Sequence, residues 1–414
     1  MRLKPSKSLH GLRVRSMVAL GTAVVGFTGL VLAQTTPALA DPTVTLVAVG
    51  SDTIQDVYNA FSLDASGNLL GSYNAVNPVT QVAHEIITPA DGTSGANCSF
   101  TRPNGSGEGV ANLRLAINPA STNAGAAVAP VAGPGCVDIA RSSSGPGSLQ
   151  SNTGPLVYIP FALDAVGGST GPTTCTPSTL CPSFSVVTPS NGTVTVTPSP
   201  TAITTADSFT LADLTTLYAN CGTVTEGGVT YNPGTATTGQ VQINLYIPQP
   251  GSGTRNFWAT TLGFNATTPP ACDHDHIVGG PLAADNVSVE EHNGAAVATD
   301  PNGFGPFSIA QWISQRNGHS DRRHSAILHN LNALSPFSNG NPNTGALNTN
   351  FPITRNVYSV VSFARVTSTS DPLFNLLNGT NSFLCTEQSA IISFGFALVP
   401  SICGEVVATL RAQG

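Results

Sequence analysis

The sequence predicts an α/β protein built as two lobes. Short apolar or β-branched runs alternate with stretches whose apolar residues recur at helical spacing, which is the signature of α/β architecture. The 374 residues that follow the leader also exceed one ordinary core, so two lobes are the expectation. Only 9% of the 414 residues are charged, but 40% are hydrophobic, which argues against disorder. After the leader, no apolar run approaches the ~20 residues of a membrane helix, which excludes a polytopic membrane protein.

Residues 1–16 are basic and Met17–Ala33 are apolar and small. Ala38-Leu39-Ala40 then has the A-x-A form of a cleavage site, so residues 1–40 read as a secretory signal peptide, with a retained membrane anchor as the alternative. No Cys near its end offers a lipid attachment point. Beyond the leader there are ten Arg and no Lys against all 22 acidic residues, a formal charge of −12. That balance excludes a basic nucleic-acid surface, and a P-loop is impossible without Lys.

Val44–Val49 reads as a strand, then Gly50-Ser51-Asp52-Thr53, then a helix over Ile54–Phe61. Asn104-Gly105-Ser106-Gly107-Glu108-Gly109 precedes helical spacing over Val110–Ile117. Leu156–Leu163 is a buried-strand candidate. Gly167–Thr205 is rich in Thr, Ser, Pro and Gly and reads as a surface insertion with a strand at Thr193–Thr197. Phe209–Tyr218 is a short helix opened by Asp207-Ser208. Val241–Ile247 is a strand, followed by Gly251-Ser252-Gly253-Thr254 and a helix over Arg255–Leu262. Phe307–Arg316 is a helix, Val357–Val366 alternates like a strand, and Glu387–Leu398 is a helix.

Eight cysteines in an exported chain suggest disulfides. Sequence leaves the connectivity open. Nearest-neighbour pairing gives Cys98–Cys136, Cys175–Cys181, Cys221–Cys272 and Cys385–Cys403, each closing a local loop. Zinc is the competing reading, and the crowded place is Cys272-Asp-His-Asp-His276. The simpler reading of that stretch is a polar surface loop.

Three Gly/Ser/Thr segments each stand directly before a helix: Gly50–Thr53, Gly105–Gly109 and Gly251–Thr254. A helix N-terminus carries unpaired N–H groups and partial positive charge, glycine admits close approach, and a hydroxyl adds a donor. One such start is an ordinary cap; three in one chain point to an anion site. Ala140-Arg141-Ser142-Ser143-Ser144 adds a cation and clustered hydroxyls, or is a polar turn ending a strand.

The order of these segments resembles the phosphate-binding proteins of bacterial phosphate ABC transporters, in an extracytoplasmic actinobacterial-like branch. The Gly-Ser-Gly-Thr loop is its most specific element, and Phe209–Tyr218 and Gly303–Trp312 are similar to further family segments. The resemblance implies the type II periplasmic-binding fold. Its lobe I would comprise 41–162 and 306–414, and lobe II 163–305 with the insertion 167–205. It implies a monomer with no cofactor and no catalysis that captures inorganic phosphate and presents it to a membrane permease. The ligand residues so implied are Ser51, Asp52, Thr53, Ser106, Arg141, Ser142, Ser143, Ser252, Gly253, Thr254 and Arg255. Two departures stand out. Ile247-Pro-Gln-Pro250 lacks the family's Arg and Asp, leaving Arg141 or Arg255 to supply the cation. The acidic acceptor of the Ala-Ser-Asp turn is replaced by serine, leaving Asp52 to take it over or to act as a helix N-cap. Hydrogen bonds to an ionic oxygen contribute about 1.5–3 kcal/mol each. Micromolar binding needs about 8 kcal/mol, so neutral donors suffice.

Rival readings are a receptor for sulfate, molybdate or another oxyanion; a disulfide-stapled structural or adhesive protein; and a hydrolase. The last has candidate histidines (His84, His292, His319, His324), but no Gly-x-Ser-x-Gly elbow is read. The sequence test is whether Thr53, Ser106, Ser142 and Thr254 converge.

Overall fold

The computed structural model describes residues 43–91, 98–125, 127–171, 184–188, 192–196, 206–278, 287–300 and 302–414. The signal-peptide reading and the Cys175–Cys181 pair lie outside them. No helix among the described residues is long and apolar enough to cross a membrane.

One mixed sheet organises the chain. Its main path comprises β1 (Leu46–Gly50), β2 (Leu70–Ser72), β3 (Ile139–Ser142), β4 (Leu156–Thr170), β5 (Asn244–Tyr246), β6 (Asp273–His274), β7 (Gly303–Ser308) and β8 (Thr354–Ser362), and three two-residue strands, Ile327–Leu328, Ala397–Leu398 and Arg411–Ala412, pair with β4 beside it. The spatial order of the path is β6-β5-β7-β4-β8-β3-β1-β2. The three strands at each end run parallel within their group, while β4 and β8 pair antiparallel with each other and with the group beside them. The 15-residue β4 links the groups: residues 156–165 pair with β8 and 166–169 with β7. A parallel strand is buried on both faces, hence the unbroken apolar run of β1. Leu46 and Ala48 enter one core, while Val47 and Val49 enter a second with Phe100, Val110 and Leu113.

The principal helices are α1 (Gln55–Asp64), α2 (Ser106–Ile117), α3 (Leu211–Asn220), α4 (Gly253–Leu262) and α5 (Ile309–Arg316). α1 buries Val57, Tyr58 and Phe61, and its two rings meet Phe161 of β4 edge-on. Thr210 and Asp213 form a reciprocal capping box that starts α3.

Several sequence expectations need correction. Gly167–Thr170 belongs to buried β4, so the surface insertion does not begin at Gly167. Glycine serves packing there: a Cβ on Gly168 would lie 2.1 Å from the Phe304 ring. Gly167–Gly171 does carry the Gly-x-Ser-x-Gly spacing, but inside and at the end of this strand, with Ser169 Oγ donating to the Gly305 carbonyl at 2.9 Å. It is no nucleophile elbow. A strand does occupy Gly192–Val196. Gly303–Ser308 is strand, and the helix expected from Phe307 starts at Ile309, capped by Ser308 Oγ. The strand over Val357–Val366 stops at Ser362, after which Phe363–Val366 turns helical. Glu387–Leu398 splits into a helix over Gln388–Ser393 and a strand over Ala397–Leu398, because Gly395, at φ +81°, terminates the helix.

Cys98–Cys136, Cys221–Cys272 and Cys385–Cys403 are bonded as nearest-neighbour pairing anticipates. Neither the zinc reading nor the surface-loop reading of Cys272–His276 fits. Cys272 is spent in a disulfide, and Asp273, His274 and Asp275 are buried, Asp275 in an ion pair with Arg255.

Candidate functional site

The Gly/Ser/Thr segments lie where parallel strands end and helices begin, the usual place for ligands in α/β sheets. β1 runs through Gly50 into the loop before α1, β3 ends at Ser142, and β5 leads through Ile247–Ser252 into α4. The start of α2 joins this edge through a bridge between Gly50 and Asn104.

Segments from both parallel groups meet. The Thr53 and Thr254 hydroxyls are 3.4 Å apart. Ser106 Oγ lies 3.2 Å from Ser143 Oγ and accepts from the Ser143 N–H at 3.0 Å. The Gly107 N–H donates to the Gly251 carbonyl at 3.0 Å. Glycine is required by this approach: a Cβ on Gly105, at φ +110°, would stand 2.6 Å from the Gly251 oxygen. One on Gly253 would stand 2.3 Å from Ser106 Oγ and 2.5 Å from Ser143 Oγ. Ser252 caps α4, its Oγ accepting from the N–H groups of Thr254 and Arg255.

Glu291, which sequence reasoning missed, engages both sides. Its carboxylate accepts from Thr53 Oγ1 at 2.5 Å and from Ser252 Oγ at 3.1 Å. Asp52 does not cap α1 with its side chain. It accepts from the Thr53 N–H at 2.9 Å and from Gln249 Nε2, across the junction, at 3.1 Å. His292 completes the group, with one ligand-type atom from each of Asp52, Glu291 and His292 within 4.8 Å of the others. Burial, with the nearby Asp52 charge, pushes the Glu291 carboxyl up to about 7. Burial and the Asp52 and Glu291 charges push Glu290 up to about 8. Burial, then Arg322, pushes His292 down to about 3, so its ring is neutral. Asp52 was named from its loop; the signal for the other groups was an acidic pair beside a histidine, Glu290-Glu291-His292, in a chain of sparse charge.

Neither proposed cation donates a hydrogen bond to the side chains of this cluster, although the charge of Arg141 reaches Asp52. Arg141 is fully buried, and its guanidinium donates to Ser72 Oγ and to the carbonyls of Ala48, Gly50, Ser51 and Tyr73. It holds the loop from behind. Arg255 pairs with Asp275 at 2.7 Å and donates to the carbonyls of Pro248 and Ala266. Ser142 Oγ is used within its own turn, donating to the Ser144 carbonyl. Ser51 is buried, its N–H donating to the Arg141 carbonyl. Thus Asp52, Thr53, Ser106, Ser143, Ser252, Gly253 and Thr254 come together, while Arg141, Ser142 and Arg255 serve the framework.

No protein-family model matches the chain, and no curated protein matches it. Solved structures resemble it in overall course. An ABC-type phosphate transport receptor from Vibrio cholerae has 12% identity, a TM-score of 0.44, and coverage of 86% of this chain and 100% of its own. A phosphate-binding protein from Stenotrophomonas maltophilia has 13% identity, a TM-score of 0.37, and coverage of 86% and 91%.

Proposed function

We propose that this chain is an exported solute-binding protein, not an enzyme, that takes an inorganic oxyanion, hydrogen phosphate, at the junction of Thr53, Ser106, Ser143 and Ser252–Thr254. The observation that carries the reading is the meeting of hydroxyl-bearing helix starts from both parallel groups. The hydroxyls of Thr53 and Ser252 already hold a carboxylate, Glu291, the kind of acceptor an oxyanion offers. An incoming anion takes over those donors. Two carboxylates at the same place, Asp52 and Glu291, favour a ligand that can donate a proton. Hydrogen phosphate has one; fully ionised sulfate has only acceptors and meets uncompensated repulsion.

On this reading 41–162 and 306–414 form one lobe and 163–305 the other. They hinge near 161–166 and 300–305, and closure presents the loaded protein to a membrane permease. The net charge of −12 repels anions at long range, so the local donors govern affinity. Calorimetry with phosphate and with sulfate tests the assignment. Phosphate is expected to bind at micromolar Kd or tighter, and Thr254→Ala and Ser106→Ala each to weaken it about tenfold or more, the cost of one charge-assisted hydrogen bond. Tight sulfate binding without phosphate binding overturns the ligand. Unchanged affinity in both variants overturns the site.

A further inference from the structure

Beside Asp52 and Glu291 the junction holds His292 and Glu290, which the oxyanion reading does not use. His292 is 1% exposed and neither ring nitrogen has a hydrogen-bond partner. Nδ1 lies 3.6 Å from Asp52 Oδ2, and Nε2 lies 3.3 Å from Glu290 Oε2. The carboxylates of Asp52, Glu290 and Glu291 therefore stand around one imidazole. Two guanidiniums act on this group: Arg322, paired with Asp56 at 3.1 Å, and Arg141, whose charge reaches Asp52. The remaining groups there are neutral: Thr53, Gln249 and Ser252.

We infer that Asp52, Glu291 and His292 form a binding site for one divalent transition-metal ion, with Glu290 orienting the histidine. Two carboxylate oxygens and one imidazole nitrogen are a donor set such ions accept, with a position left open. A ligating histidine characteristically gives its second ring N–H to a carboxylate, which fixes the tautomer and raises ligand basicity. Here Glu290 stands at Nε2, leaving the Nδ1 lone pair toward Asp52. A 2+ charge also offsets carboxylates that burial otherwise disfavours. The site shares Asp52 and Glu291 with the oxyanion reading but uses none of Ser106, Ser143 or Thr254, so the two can be tested separately.

The test is calorimetry of the chelator-treated, full-length mature protein with Zn²⁺ alone in phosphate-free buffer. One equivalent is expected to bind, with a rise in thermal midpoint. His292→Gln should abolish that equivalent while its metal-free circular dichroism matches the parent. Glu290→Gln, a change at a positioning residue, should lower Zn²⁺ affinity about 10- to 100-fold with metal-free stability little altered. The exposed His84→Gln should change nothing. Absence of stoichiometric uptake, or uptake unchanged in both His292→Gln and Glu291→Gln, overturns the site. Phosphate titrations in chelator separate the two readings: loss of metal uptake with phosphate binding retained defeats only the metal site, and the reverse defeats only the oxyanion site.

Discussion

Arg355 and Asp164 show how a single buried pair carries the centre of the molecule. The guanidinium, on β8, donates to Asp164 of β4 at 2.9 and 3.2 Å, and the same carboxylate accepts from Ser308 Oγ and the Ala310 N–H at the start of α5. Removing one partner leaves the other charge buried, so Arg355→Ala is expected to cost about 3–5 kcal/mol, read from chemical denaturation. Asp300 behaves differently. Burial pushes its carboxyl up to about 6 despite donors from Asn244, Tyr246 and the Asn302 N–H. A raised acid favours folding when protonated, so its contribution is full below its unfolded value near 4. It is lost as pH rises through 6, a span of about 3 kcal/mol. Asp300→Asn should reduce the fall in stability between pH 4 and 6, to which Glu290 and Glu291 also contribute; an unchanged slope there refutes the assignment. Residue identity in the site was legible only in part. Hydroxyls next to glycines announced Thr53, Ser106 and Thr254. The roles of Arg141 and Arg255 depended on which carbonyls and carboxylates long-range folding brought to them, which local sequence does not encode.

At the level of elements, helix starts were legible because glycine and hydroxyl residues have strong local preferences. Ends were less so. Phe363–Val366 continues the apolar alternation of β8, yet the chain turns helical after Ser362, a tertiary outcome that overrides pattern. Gly168 of β4 suggested a loop because its packing reason, the Phe304 ring, lies 136 residues on in the chain. The described disulfides close spans of 38, 51 and 18 residues. Each is expected to contribute about 2–4 kcal/mol. Denaturation with and without reductant should therefore show a large drop in midpoint. Coincident transitions would assign stability to the apolar core alone.

For the whole molecule, alternation gave the α/β class, but not the arrangement of two parallel groups about an antiparallel pair. That arrangement depends on β4 changing partner midway, from β8 to β7, and no local signal marks the change. β4 has a further consequence. Its partners include Gly305–Ser308, Thr354–Ser362, Ala397–Leu398 and Arg411–Ala412. Residues made early in synthesis thus wait for the last ones before their backbone groups are satisfied. Such long-range pairing folds slowly. The sheet can therefore lock only once the final turn of synthesis has delivered Arg411–Ala412 to the edge of β4.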